Sequence, residues 1–214
     1  MPSLYDFSMR IRNLIGSKKY KDALAYFKAE KKQFTDVQIA NNEYLVSDIL
    51  SCLRRANYLD AGFQFLKTYG IEINDATKER ISTAYGWLLW SKYKSENLNT
   101  STSEEQNYQF EEDDEWTLYE NAQYTKNDLI ERIEILIPLL IRFNSEFSKT
   151  LVSNLFTVVL KSEKVKPSPN WQLVNDFCDH FEPDQLSTEC STIQVKRKGQ
   201  IRDMELASDR ESWY

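Results

Sequence analysis

The residues that could carry acid–base chemistry centre on His180. It is the one histidine among 214 residues, and Asp176, Asp179 and Glu182 stand beside it in sequence. A Ser-His-Asp mechanism would also need a serine on a sharp turn, and no Gly-x-Ser-x-Gly segment occurs. We therefore interpret His180 as a partly exposed histidine at the C-terminal end of a helix, where the helix dipole favours a cation. We expect no catalytic residue.

A metal site would have to combine Cys178, His180 and Cys190. Structural zinc sites use four ligands at tight, paired spacings, and only three candidates exist here. The isolated glycines Gly70 and Gly199 do not form a phosphate-binding loop. We therefore expect neither a metal nor a cofactor. The three cysteines are odd in number and far apart, which predicts free thiols in a reducing compartment.

Acidic residues are concentrated between positions 95 and 125, where nine occur and no lysine or arginine does. Catalytic carboxylate pairs need a fixed separation and shifted pKa values, which an acid-rich run such as Glu111–Glu115 does not supply. We expect a solvated loop. The alternative is an acidic docking arm that folds onto a basic partner, carrying four aromatic residues: Tyr108, Phe110, Trp116 and Tyr119.

The composition favours helices. Glycine and proline number only five each, whereas sandwiches and barrels need many tight turns. The net charge of −6 gives no global basic footprint for non-specific nucleic-acid binding. The N-terminus lacks a signal-peptide run, and charges interrupt the apolar stretch 129–143, which is too short to span a bilayer. We expect a soluble, cytoplasmic protein.

A repeat of 38 residues relates two segments of the first half of the chain. Each segment reads as an apolar helix, a short polar turn and a second helix that opens with Tyr-x-x-Ala-x-x-x-Phe. Tyrosine, alanine and phenylalanine at i, i+3 and i+7 fall on one helical stripe, where the small alanine admits a neighbouring helix. The paired residues are Tyr20 and Tyr58, Ala23 and Ala61, and Phe27 and Phe65. Short turns predict antiparallel helix pairs, as in tetratricopeptide-type repeats.

These patterns predict an all-α chain of stacked helix hairpins, a short α-solenoid. Residues 1–94 form repeats, 95–125 an acidic flexible insertion, 126–185 a further helical hairpin, and 186–214 a basic tail with the start of another helix. A third unit is predicted to begin at Asp75, a plausible N-cap. Pro138 is predicted to kink or break its helix. The apolar pair Trp213 and Tyr214 predicts that further repeats follow.

Three segments carry a family resemblance. They are Ala84-Tyr-Gly-Trp-Leu-Leu-Trp-Ser-Lys-Tyr93, Pro167-Ser-Pro-Asn-Trp-Gln-Leu173 and Glu205-Leu-Ala-Ser-Asp-Arg-Glu-Ser-Trp-Tyr214. Together they resemble the helical-repeat region of tetratricopeptide-containing proteins from bacterial conflict loci of the TOTE type. The resemblance spans about half the chain in scattered patches. It implies a helical scaffold, in phage or plasmid defence, without an active site.

The first functional hypothesis is a non-catalytic scaffold that binds a partner protein. Basic residues crowd the equivalent turns of the two repeats and would line one edge of the stack, and tryptophans anchor partners well when exposed. The candidate partner-binding residues are Arg12, Lys18, Lys19, Arg54, Arg55, Trp87, Trp90 and Trp116. The alternatives are a nucleic-acid-binding module that uses the basic turns and the segment Lys196–Lys198, and an enzyme or toxin without a recognisable motif. The sequence predicts no oligomeric state.

Overall fold

The chain is all-α. The computed structural model describes residues 3–99, 124–143, 146–163 and 199, and within these ranges it contains helices and turns but no strand. The all-α class expected from the sequence is thereby confirmed. The α-helices of the described ranges are α1 (Leu4–Gly16), α2 (Tyr20–Glu30), α3 (Asp36–Ala40), α4 (Glu43–Arg55), α5 (Leu59–Thr68), α6 (Glu79–Asn99), α7 (Lys126–Phe143) and α8 (Glu146–Glu163).

The first hairpin joins α1 and α2. A capping box starts α1: the Ser3 hydroxyl accepts from the Asp6 N–H at 3.1 Å, and the Asp6 carboxylate accepts from the Ser3 N–H at 3.2 Å. These bonds satisfy backbone donors that a helix end otherwise leaves open. The apolar stripes then bury Phe7 and Ile11 of α1 and Phe27 of α2, and the rings of Phe7 and Phe27 are stacked.

The turns of the two hairpins have the same geometry. Lys18 after α1 and Asn57 after α4 adopt positive φ values of 59° and 66°. In each turn the N–H of this residue donates to the backbone carbonyl oxygen of the residue three positions earlier. The distance is 2.8 Å for Lys18 and 3.2 Å for Asn57. The N–H of the next residue donates to the carbonyl oxygen five positions earlier, at 2.9 Å in the first turn and 2.8 Å in the second. This is the left-handed Schellman ending of a helix, and it sets α2 antiparallel to α1 and α5 antiparallel to α4.

The repeat of the helices and the repeat of the Tyr-Ala-Phe stripes differ by one residue. The turns lie 39 residues apart, whereas the aromatic stripes match at 38. Tyr20 is consequently the first residue of α2 and half-buried, whereas Tyr58 precedes α5 as its N-cap and is buried. Ala23, Ala61 and the two phenylalanines of the stripes are all buried.

The link between the hairpins is more structured than the sequence indicated. A 3₁₀ turn, Lys31–Gln33, follows α2, and α3 follows that turn. Thr35 and Gln38 form a second capping box at the start of α3. Ile39 of α3 is buried, so this segment contributes to the core of the stack.

The third unit begins later than predicted. Asp75 lies in a turn, and α6 starts at Glu79. The Asn74 side chain accepts from the Ala76 N–H at 2.9 Å, and the Thr77 hydroxyl accepts from the Asn74 N–H at 2.8 Å. Such side chain–backbone bonds offer the chain an alternative to a helical turn, and they postpone the helix by about one turn.

Helix α4 is central to the first half of the molecule, because it packs against α1, α2, α3, α5 and α6. The two hairpins also meet directly through Phe27. Its ring centroid lies 5.9 Å from that of Phe7 in its own hairpin, and 5.8 and 6.3 Å from those of Phe65 and Tyr69 in the other. Aromatic pairs at such separations add to the stabilisation from burial.

The chain divides into two compact units, Met1–Leu139 and Leu140–Tyr214. In the first unit, the Arg132 guanidinium of α7 donates to the Tyr85 hydroxyl of α6 at 3.3 Å. Helix α7 continues through Pro138 and does not break there. In the second unit, α8 buries adjacent pairs of apolar residues on two sides: Leu151 and Val152, Leu155 and Phe156, and Val158 and Val159.

Several predicted features lie outside the described residues. They comprise most of the 95–125 insertion with Trp116, the helix assigned to Trp171–Phe181 with Cys178 and His180, Cys190, the basic segment Lys196–Lys198 and the last helix before Tyr214.

Candidate partner-binding surface

Side chains of α1, α2, α4 and α6 form two clusters, one near each end of α4. Helix α1 packs on one side of α4 and α6 on another, while α2 begins beside its C-terminal end. Tyr44, Asp48 and Arg55 follow at i, i+4 and i+11, which is one stripe of the helix. We call this surface the arginine–aromatic face and define it by eight residues: Arg12, Tyr20, Tyr44, Asp48, Arg54, Arg55, Arg80 and Trp87.

The first cluster of the face surrounds Tyr44, whose side chain is 45% exposed. The guanidinium carbons of Arg12 and Arg80 lie 4.9 and 4.6 Å from the centre of its ring. Arg12 is also ion-paired, because its Nε and Nη2 atoms each donate to Asp48 at 3.1 Å. Burial raises the pKa of the Asp48 carboxyl, although the charge of Arg12 opposes this. Arg12 thus forms an ion pair with Asp48, whereas Arg80 forms none among the described residues, although its charge also opposes the raised pKa of the Asp48 carboxyl.

The second cluster lies where α4 ends. The Arg54 guanidinium is 5.7 Å from the Trp87 ring, and that of Arg55 is 5.4 Å from the Tyr20 ring, whose hydroxyl accepts from Arg55 at 3.3 Å. Cation–π contacts of this kind are attractive and fix a guanidinium in place. Burial, together with the neighbouring charge of Arg55, lowers the pKa of Arg54.

No carboxylate of the described residues forms an ion pair with Arg54 or Arg55. Two adjacent positive charges are therefore held together, and no carboxylate in the described part of the chain is paired with them. Such an arrangement is unfavourable in isolation and is relieved by an anion. A guanidinium that rests on an aromatic ring still presents N–H donors at its edge, which suit a carboxylate or phosphate.

The predicted site residues fall into four groups. The structure brings Arg54, Arg55 and Trp87 into one cluster and Arg12 into the other. Lys18 and Lys19 are exposed on the α1–α2 turn. Trp90 is half-buried, with the Lys94 ammonium 5.5 Å from its ring. Trp116 lies outside the described residues.

The basic turns and the tryptophans of the sequence did not indicate that Tyr44, Asp48 or Arg80 belongs to the surface. Tyr44 and Asp48 could have been predicted from the sequence, because they lie on the same stripe of α4 as Arg55. Arg80 could not, since its position depends on how α6 packs against α4.

The polar groups of Lys92, Asp60 and Cys52 are largely buried and do not belong to the face. The Lys92 ammonium of α6 lies 2.9 Å from carboxylate oxygens of Asp60 in α5 and of Glu96, which ties α5 to α6. Burial raises the pKa of the Cys52 thiol to about 12, so this cysteine is a poor nucleophile. The described residues contain no group of side chains that could hold a metal ion, and none of their helices is long and apolar enough to cross a membrane.

The chain matches no protein-family model, no curated protein and no solved structure. The helices of the described residues define the fold class, which is all-α.

Proposed function

We propose that the protein is a non-catalytic helical-repeat scaffold that binds a partner protein on its arginine–aromatic face. The observation that carries this proposal is the Arg54–Arg55 pair, which is fixed by aromatic rings and has no carboxylate partner among the described residues. Arginine and aromatic residues dominate the binding energy of many protein interfaces. The face also spans several helices, as partner surfaces on helical arrays do.

The arrangement of hairpins supports a short tetratricopeptide-like solenoid. The two hairpins share one turn geometry and pack through Phe27 and Phe65. In such an array the first helices of successive hairpins lie side by side, which is the relation of α1, α4 and α6. The sequence resemblance to TOTE-type repeat regions extends the proposal to a cytoplasmic role in bacterial conflict or defence.

Site-specific photo-cross-linking tests the scaffold proposal. A benzophenone amino acid replaces Tyr44 on the face or, as the matched control, Val37, which is 67% exposed on α3. In cells, the probe at Tyr44 is expected to form one dominant adduct with a protein, and the probe at Val37 is not. Equal adducts at both positions, or none at Tyr44, would contradict a partner-binding role for this face.

A nucleic-acid-binding module is the second candidate. It is favoured by the position of Arg55, which contacts Tyr20 at the start of α2 and so brings the second basic turn beside the first, with its Lys18 and Lys19. Phosphate contacts would make binding fall steeply with salt. Titration of a single-stranded oligonucleotide at two salt concentrations tests this candidate, which fails if binding is absent or insensitive to salt.

A further inference from the structure

The chemistry of the partner can be read from the unpaired cations of the face; this step rests on the proposed function. Arg12 is occupied by Asp48, and the neighbouring Lys78 lies 3.6 Å from the Glu43 carboxylate. Arg54, Arg55 and Arg80 form no ion pair among the described residues. Among the eight residues of the face, the cations without an ion pair therefore lie at two points: Arg80 beside Tyr44, and Arg54 with Arg55 at the end of α4.

The distance between these two points follows from the geometry of α4. Tyr44, which contacts Arg80, and Arg55 are eleven residues apart on one stripe of the helix. At a rise of 1.5 Å per residue this separates them by about 16 Å. An extended chain advances by about 3.3 Å per residue, so it covers this distance in about five residues.

The region between the two points is unfavourable for a continuous polyanion. Arg12 and Asp48 lie there and compensate each other's charge, so this region offers a phosphate no cation of the face that lacks a counter-charge. A nucleic-acid strand carries a charge at every nucleotide, so its phosphates between the two points would have no unpaired arginine of the face to bind. A peptide can instead carry neutral residues over Asp48 and acidic residues at both ends.

We infer that the partner binds through an extended segment with two acidic side chains about five residues apart. One carboxylate pairs with Arg54 and Arg55, and the other with Arg80 beside the Tyr44 ring. Both pairs are charge-assisted hydrogen bonds of the guanidinium–carboxylate kind. The neutral residues between them lie across the Arg12–Asp48 pair.

Fluorescence polarisation with the full chain and labelled synthetic peptides tests this inference. The probes are a peptide with two glutamates about five residues apart, a peptide of the same composition with adjacent glutamates, and a glutamine analogue. The spaced peptide is expected to bind about tenfold more tightly than either of the others, because only it reaches both points. A single-stranded oligonucleotide of similar length serves as the polyanion probe.

Matched variants connect binding to the named residues. Arg54→Gln/Arg55→Gln is expected to weaken the spaced peptide about tenfold or more. Lys31→Gln/Lys32→Gln removes the same charge from the 3₁₀ turn after α2 and is expected to leave binding unchanged. Because Arg54 is half-buried, the exposed Arg55→Gln alone provides a variant that preserves the packing against Trp87.

Three results would overturn the inference: binding of the adjacent-glutamate or the glutamine peptide as tight as that of the spaced peptide, equal weakening by both double variants, or tighter binding of the oligonucleotide. The scaffold proposal fails separately. If cross-linking at Tyr44 captures a partner and Arg54→Gln/Arg55→Gln does not reduce it, the scaffold stands and the acidic chemistry is wrong. If Tyr44 captures nothing, the scaffold itself is wrong.

Discussion

At the scale of single residues, the absence of one side chain allows α5 and α6 to pack closely. A Cβ atom added to Gly62 in α5 would lie 2.6 Å from a methyl carbon of Leu88 in α6. Leu88 is fully buried, so it has little room to move in a close-packed interior. Next to Gly62, the repeat residue Ala61 is also small and buried.

Gly62→Ala is therefore expected to lower the free energy of unfolding by about 1–3 kcal/mol, as overpacked cores do. Gly16→Ala is the matched control, because an added Cβ there meets nothing within 4 Å. That control is expected to raise the free energy of unfolding by roughly 0.4–1 kcal/mol through reduced freedom of the unfolded chain. Chemical denaturation measures both. An unchanged stability of Gly62→Ala would show that the close approach is not required.

Sequence patterns predicted the residues of the arginine–aromatic face only in part. The recurrence of basic residues in the turns predicts Arg54 and Arg55 as partner-binding residues, because it is a local property of the chain. Their stacking on Trp87 and Tyr20 was not predictable, since it brings together residues 33 and 35 positions apart, by way of helix packing. Arg80 was missed for the same reason.

At the scale of elements, capping residues determine where helices begin. Hydrogen bonds from the Ser3 side chain and backbone lower the pKa of Asp6 below its ordinary value of 3.8. The Thr125 hydroxyl and backbone have the same effect on Asp128 at the start of α7. A lowered folded-state pKa means that the cap stabilises the helix above the unfolded value and that this contribution is lost as pH falls through the folded value.

An NMR titration from about pH 5 to about pH 2 tests this. The carboxyl carbon of Asp6 is expected to show a midpoint below 3.8. In Ser3→Ala the midpoint is expected to rise towards the ordinary value, because the side-chain donor is gone, while that of Asp128 stays unchanged. A midpoint for Asp6 at or above 3.8 in the wild type would refute the capping box in solution.

The hairpin turns provide a second test at this scale. Lys18 has a positive φ, which glycine adopts without the steric penalty of a Cβ. Lys18→Gly is therefore expected to raise the free energy of unfolding by about 0.5–1 kcal/mol. Lys19, at φ −90°, has no such strain, so Lys19→Gly should lower it through greater freedom of the unfolded chain. If thermal unfolding shows both variants destabilised, the left-handed turn is not the one described.

Periodicity predicted the long helices well but not their exact starts. The stripes of α1, α2, α4 and α5 follow from apolar spacing, which burial in a common core enforces. The short helix α3 escaped prediction because five residues hold too little of a pattern. Because aspartate is a frequent N-cap, the sequence predicts that α6 starts at Asp75. In the structure the Asn74–Thr77 turn occupies that segment instead.

At the scale of the whole molecule, the face depends on the stacking of the hairpins. Arg12 belongs to the first hairpin, Arg54 and Arg55 to the second, and Arg80 to α6, so no single hairpin holds both clusters. Phe27 joins the hairpins through its contacts with Phe65 and Tyr69. If the hairpins were independent units, the two anchor points would have no fixed separation, and a spaced acidic segment would gain nothing.

A double-mutant cycle on Phe27 and Phe65 measures this stacking most directly. Phe27→Ala, Phe65→Ala and the double variant are unfolded in urea, and the changes in free energy are compared. Direct contact between the two rings predicts that the double variant is less destabilised than the sum of the single variants, by about 0.5–1.5 kcal/mol. Strictly additive losses would mean that the two hairpins do not pack as one stack, which contradicts the scaffold and its face together.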